Sequence, residues 1–159
     1  MCVMIENCKT QVPSLCGELM SEWNIGVDMV EIARFQQLRY TSNKQFYKRV
    51  FTPKEIKYCL SFRNPAPHFA ANFAGKEAIY KAVNKFCDVK LNTIEILRDE
   101  NGAPEVNLQL DSKEESDTVH VKVSLSHSLS HAVAFAVAHK TTESANSDRK
   151  SEALSLNEL

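Results

Sequence analysis

The sequence predicts an α+β fold, a small antiparallel sheet packed against helices. Helical patterns with capping signals fill the first part of the core, and alternating strands follow one another late in the chain. No internal repeat is visible, and 159 residues fit one domain with tails.

Asn24-Ile25-Gly26-Val27-Asp28 reads as a short strand ending at an acid. A helix follows, with Ile32, Phe35 and Leu38 on one face. Thr52-Pro53-Lys54-Glu55 is a helix start: Thr52 can accept from the Glu55 amide, Glu55 can reach back, and Pro53 suits the first helical position. Ile56, Cys59 and Leu60 supply the apolar face of that helix. Pro65 and Pro67 break the chain, and an alanine-rich helix is expected from about His68 to Lys85. Thr93–Leu97 and Val106–Leu110 read as strands joined through Asn101-Gly102, a pair that favours the positive φ of a tight turn. Val119, Val121, Val123 and Leu125 alternate with polar residues, giving a strand with one buried face. His131–His139 is a further strand, reached through a short Ser-Leu-Ser connection.

These patterns divide the chain into an extension at 1–22, a core at 23–139 that holds every aromatic residue, and a polar, Ser-rich tail at 140–159 that reads as disordered. Apolar content of 43% and charged content of 25% are ordinary for a soluble globular protein. The net charge of -1 argues against a general nucleic-acid binder. Cysteines at 2, 8, 16, 59 and 87 form no CxxC pair and are odd in number, so they read as reduced thiols in a reducing cytosol. No apolar run has signal-peptide or membrane-spanning length, so a cytoplasmic protein without a membrane partner is expected.

Chemistry concentrates in Phe69–Lys81. On a helix, Phe69, Phe73, Glu77 and Lys81 form one i, i+4 row, so Glu77 continues an apolar stripe. An ordinary Glu77–Lys81 surface ion pair explains the spacing equally well. Gly75 costs helix stability, and either a close backbone approach or simple tolerance accounts for it. Asp28 by itself reads better as an N-cap, with Glu31 three residues on. A functional role needs a second acid beside it, since two carboxylates with phosphate oxygens and waters make the hard oxygen set that Mg²⁺ prefers. His127 and His131 lie where an alternating strand turns over, and without a further ligand cluster a zinc pair is discounted. Between Glu31 and Glu55 there is no acid, while Arg34, Arg39, Lys44, Lys48, Arg49 and Lys54 are basic. Such a stretch steers an acidic partner, or is a solvated basic face.

Five segments in order resemble the holo-acyl-carrier-protein synthase family of phosphopantetheinyl transferases. They are Gly26-Val27-Asp28, Arg49-Val50-Phe51-Thr52, Phe73-Ala74-Gly75-Lys76-Glu77-Ala78-Ile79-Tyr80-Lys81, Asn101-Gly102-Ala103-Pro104 and Val123-Ser124-Leu125-Ser126-His127. The resemblance runs from about Ile25 to Ala138 and implies Mg²⁺-dependent transfer of 4′-phosphopantetheine from coenzyme A to a serine of an apo acyl carrier protein. It implies Asp28 and Glu77 as metal ligands, Glu77 and Lys81 as catalytic residues, and Lys76, Lys81 and His127 as the lining of the coenzyme site. It further implies Arg34 as a contact for the acidic carrier protein, a homotrimer with sites between subunits, and Glu77 as the leading candidate for the base. Asn72 departs from the family, where many members carry arginine just before Phe-Ala-x-Lys-Glu; this departure would weaken or retune a coenzyme or carrier contact. The rival readings are a non-catalytic binding module for coenzyme A or a carrier protein, a transferase dedicated to a polyketide-type carrier, and a magnesium-dependent nucleotide hydrolase.

Overall fold

A computed structural model describes residues 20–110 and 119–142. Most of the expected extension and tail lies outside the described residues, as do Cys2, Cys8 and Cys16.

The first element, β1 (Met20–Glu31), is longer than the short strand expected. One face exposes Trp23, Ile25, Val27 and Met29, and the other buries Gly26 and Val30. The strand continues through Asp28 to Glu31, so Asp28 is not a helix cap. Glu31 takes that position, without a side-chain capping bond, before α1 (Ile32–Gln37). As expected, α1 buries Ile32 and Phe35.

The helix α2 (Lys44–Val50) was not foreseen, because its buried residues are only Tyr47 and Val50, set among exposed bases. Tertiary contacts hold it instead. The Tyr47 hydroxyl donates to the Leu38 carbonyl at 2.5 Å, and its ring meets Phe69 edge-on at 4.6 Å.

The expected capping box opens α3 (Pro53–Leu60). The Glu55 amide donates to the Thr52 hydroxyl at 3.3 Å, and the Thr52 amide donates to the Glu55 carboxylate at 2.8 Å.

The central helix is α4 (Pro65–Val83). It begins three residues before the expected start, because Pro65 and Pro67 sit in its first turn, where their missing N–H groups have no intrahelical partner to lose. Its Ala70, Ala74, Ala78 and Ala82 are fully buried.

The hairpin β2 (Ile94–Arg98) and β3 (Pro104–Leu108) pairs antiparallel from Ile94↔Leu108 to Arg98↔Pro104. Asp99 organises the turn by accepting from the amides of Asn101 at 2.9 Å and Ala103 at 2.8 Å, while Gly102 supplies φ 82°. The second strand therefore starts at Pro104, two residues earlier than predicted, on a strand's first position where proline is tolerated.

The last strands, β4 (Val119–His127) and β5 (His131–Thr142), pair antiparallel from His127↔Ala132 to Val119↔Lys140. They join β1 in a three-stranded sheet of order β1-β5-β4, while β2-β3 forms a second sheet. The α+β architecture is as predicted, with the strands divided between two sheets. Ala132, Ala134, Ala136 and Ala138 of β5 are buried in the same core as the alanines of α4. Small residues on both elements let helix and sheet backbones come close.

Residues 21–141 form one unit, so β1 and β5 reach slightly beyond the predicted core limits. Trp23 stacks on His139 at 4.3 Å, and Glu22 pairs with Lys85 at 2.6 Å, which ties those strand ends down. Among the described residues, no helix is long and apolar enough to cross a membrane.

Candidate active site at the crossing of the first strand and the central helix

The row predicted on α4 emerges gradually from the core. Phe69 and Phe73 are buried, Glu77 is half-buried, and the Lys81 side chain is 38% exposed. Arg34 of α1 lies over the Phe73 ring, 5.1 Å from its centre, and its positive charge also acts on Glu77.

Glycine brings the second acid to this row. A Cβ added at Gly26 would sit 1.9 Å from the Ala78 carbonyl oxygen, so β1 and α4 touch backbone to backbone. On one side of that crossing, Asn24 Nδ2 donates to the Ala82 carbonyl at 2.9 Å. On the other, Lys81 Nζ donates to the Val27 carbonyl at 2.9 Å and pairs with Asp28 Oδ1 at 2.9 Å. Lys81 thus pairs with Asp28, not with Glu77 as the surface-pair reading had it.

Asp28 lies near enough for its charge to act on Glu77. Burial raises the Glu77 pKa, and the Asp28 charge raises it further, while Lys81 and Arg34 pull it back. Two carboxylates crowded in this way with a lysine at their edge form an anion-rich pair suited to a hard divalent cation. No group of three His, Cys, Asp or Glu side chains able to hold a metal occurs among the described residues. Mg²⁺ is commonly held by one or two carboxylates with substrate phosphates and waters completing the shell.

Lys76 points elsewhere. Its ammonium is fully buried, 2.7 Å from Glu55 Oε2, and it donates to the carbonyls of Leu91 at 2.8 Å and of Ile94. Glu55 also accepts from the Ile96 amide at 2.9 Å. The charge of Lys76 is therefore consumed within the fold, joining α3, α4 and β2, and its ammonium does not reach the Asp28–Glu77 pair. Gly75 beside it is closely packed: an added Cβ would lie 2.7 Å from Ile96 Cδ1 and 2.9 Å from Leu125 Cδ2. The close approach is to neighbouring strands.

His127 stands exposed at the end of β4, with no hydrogen bond or ion pair to Asp28, Glu77 or Lys81 among the described residues. It faces the ring of His68 at 6.4 Å. Asn72 is fully buried, and its Oδ1 accepts from Arg98 Nη2 at 3.1 Å. Sequence reasoning missed Glu55, His68 and Arg98 as partners. Only the capping box hinted at Glu55, and nothing local links Arg98 to Asn72.

The structure is thus an α+β protein in which Asp28, Lys81 and Glu77 lie together where β1 crosses α4. A sequence profile described as the 4′-phosphopantetheinyl transferase superfamily matches residues 24–138, and the chain belongs to that family. A holo-[acyl-carrier-protein] synthase of Thermodesulfovibrio yellowstonii is 38% identical over 103 residues, covering 65% of this chain and 86% of its own. The synthase of Chlorobaculum parvum is 42% identical over 105 residues, with the same coverage of 65% and 86%. The crystal structure of the Helicobacter pylori synthase in complex with coenzyme A superposes with a TM-score of 0.61 at 29% identity, covering 72% of this chain and 98% of that one.

Proposed function

We propose that this protein is a holo-acyl-carrier-protein synthase. It transfers 4′-phosphopantetheine from coenzyme A to a serine hydroxyl of an apo acyl carrier protein and releases adenosine 3′,5′-bisphosphate. The observation that carries this reading is the convergence of Asp28, Glu77 and Lys81 where β1 crosses α4. Asp28 and Glu77 would hold Mg²⁺, which supplies Lewis-acid neutralisation of the coenzyme pyrophosphate. Lys81 is exposed enough to turn from Asp28 toward a phosphate oxygen and stabilise the leaving charge. Glu77, whose proton affinity burial and Asp28 raise, is suited to accept the serine proton. Lys76, sealed against Glu55, supports α4 from behind, and His127 lines the coenzyme site from the end of β4.

The acidic carrier would dock on the basic stretch. Arg34, Arg39, Lys44, Lys48, Arg49 and Lys54 are all exposed. Lys54 contributes least, because Glu95 pairs with it at 3.1 Å. A groove of about 480 Å³ beside Arg39 and Tyr40, floored by Phe35 and Phe69, offers an apolar seat next to these charges. A homotrimer would cover the outer face of the three-stranded sheet. There Trp23 (65%), Met29 (65%), Ile25, Val27, Val133 and Phe135 are exposed on adjacent strands, an apolar surface that monomers rarely leave open. The reaction belongs in the cytoplasm, consistent with the odd, CxxC-free cysteine set.

The test is incubation with coenzyme A, Mg²⁺ and a panel of apo carrier proteins, followed by mass spectrometry for the phosphopantetheine adduct. An adduct dependent on Mg²⁺ and lost in Asp28→Ala is the expected result. Coenzyme binding without an adduct on any carrier would favour a non-catalytic binding module.

A further inference from the structure

A side chain from β1 closes the end of α4. A helix leaves its last four carbonyls without intrahelical donors, and in α4 these belong to Tyr80, Lys81, Ala82 and Val83. The Asn84 amide donates to the Tyr80 carbonyl at 3.0 Å, and the amides of Phe86 and Cys87 donate to Val83 at 2.8 and 3.1 Å. No backbone amide among the described residues donates to the carbonyl of Lys81 or Ala82. Both are taken by Asn24, whose Nδ2 donates to Ala82 at 2.9 Å and to Lys81 at 3.5 Å. Asparagine is a poor strand residue, yet it stands within β1. Its Oδ1 accepts from the Ile25 amide at 3.0 Å. A donor on one side and an acceptor on the other fix the amide. A carboxylate or a hydrocarbon of the same shape would meet one of these demands or neither.

Alternate residues of a strand share a face, so Asn24, Gly26 and Asp28 follow one another on the same side of β1. They meet α4 in order: a cap on Ala82, a backbone contact with Ala78 and a carboxylate on Lys81. The glycine contact limits how closely the strand and helix approach, but it does not stop one sliding along the other. Directional hydrogen bonds do. Lys81 is gripped by β1 at both ends. Asn24 holds its carbonyl, and Val27 and Asp28 hold its ammonium. Without Asn24, the turn that carries Lys81 keeps only the flexible end of that grip.

We infer that Asn24 is a positioning residue for the reaction: by capping α4 it sets the register of β1 along the helix, and so the placement of Asp28 and Lys81 relative to Glu77. This rests on the functional reading above, in which Asp28 and Glu77 hold a divalent cation. Asn24 acts through those residues and not on the cation itself. Outer partners that orient metal ligands commonly change metal affinity or activity by 10-fold or more when removed.

Titration of the full chain with Mn²⁺ in the presence of coenzyme A, read by electron paramagnetic resonance, tests this. Mn²⁺ is the spectroscopic stand-in for Mg²⁺. Asn24→Leu keeps the shape of the side chain and removes both hydrogen bonds. It should weaken Mn²⁺ binding by about 10-fold and lower carrier modification by a similar factor, with part of the turnover restored by excess metal. The KM for coenzyme A should change by less than about twofold. Asn24→Ala carries the test if the leucine variant does not fold. Thr52→Ala, which removes a helix cap elsewhere in the fold, is the control for lost stability and should leave Mn²⁺ affinity unchanged. Equal weakening of Mn²⁺ binding in Thr52→Ala would reduce Asn24 to a stabilising cap and overturn the inference. A wild type that binds Mn²⁺ and an Asn24→Leu that binds it equally well overturn this inference alone. A wild type that binds no Mn²⁺ overturns the metal reading together with it.

Discussion

Lys76 and Glu77 are neighbours on one helix and meet opposite fates. Lys76 turns inward to a fully buried pair with Glu55, in which both charges are matched and hydrogen-bonded. Glu77, about 100° further round the helix, turns to a half-buried edge where Asp28 repels it and Lys81 offsets that repulsion in part. The first arrangement is closed and complete. The second is more exposed, and its repulsion is only partly offset, an arrangement of the kind the proposed metal-binding role would use.

The largest effect should come from the open pair. Glu77→Gln is expected to lower carrier modification by at least about a hundredfold while thermal stability stays the same or rises slightly, because a repulsion is relieved. A clear loss of stability with normal turnover would reverse the contrast. Lys76→Met should behave in the opposite way. It leaves Glu55 buried without its cation and should cost about 3–5 kcal/mol in urea unfolding. Adding Glu55→Gln should recover part of that loss. A stable Lys76→Met that only loses coenzyme affinity would return Lys76 to the binding site.

Gly26→Ala tests the contact that joins the two acids. The new methyl meets the Ala78 carbonyl, so β1 must shift, at about 1–3 kcal/mol. Turnover should fall with it, since Asp28 moves relative to Glu77. Thr52→Ala removes a cap and a hydroxyl donor to Glu95, and about 1 kcal/mol of stability should go with unchanged turnover.

The smallest effect at neutral pH concerns Cys59, beside the closed pair. Burial, then the Glu55 charge, push its thiol up to about 12. The native thiol keeps its proton where an unfolded one, near 9, has lost it. Its contribution is fully present below pH 9 and is lost as pH rises toward 12. Native protein at pH 8 should therefore show no iodoacetamide adduct on Cys59 by peptide mass spectrometry, and denatured protein should.

Much of this was legible locally. The capping box at Thr52, the i, i+4 row on α4 and the alternation of β4 depend on short-range spacing, and short-range spacing survives into the fold. The departures share a cause. Helix α2 has two buried residues in a basic run and is held by aromatic contacts from elsewhere in the chain. Lys76 sits in the same segment as Glu77 and looks equally available, because a sequence does not say which way a helix is rolled.

The sequence by itself determined that Asp28 lies two residues from Gly26, that Glu77 and Lys81 share a helix face, and that the stretch from Ile32 to Lys54 carries no acid. Tertiary structure decided the partners: Lys81 with Asp28, Lys76 with Glu55, Arg98 with Asn72. These residues are 53, 21 and 26 positions apart along the chain. Charge acts over a few ångströms of space, and only the packing of β1, α3 and β2 on α4 set those distances.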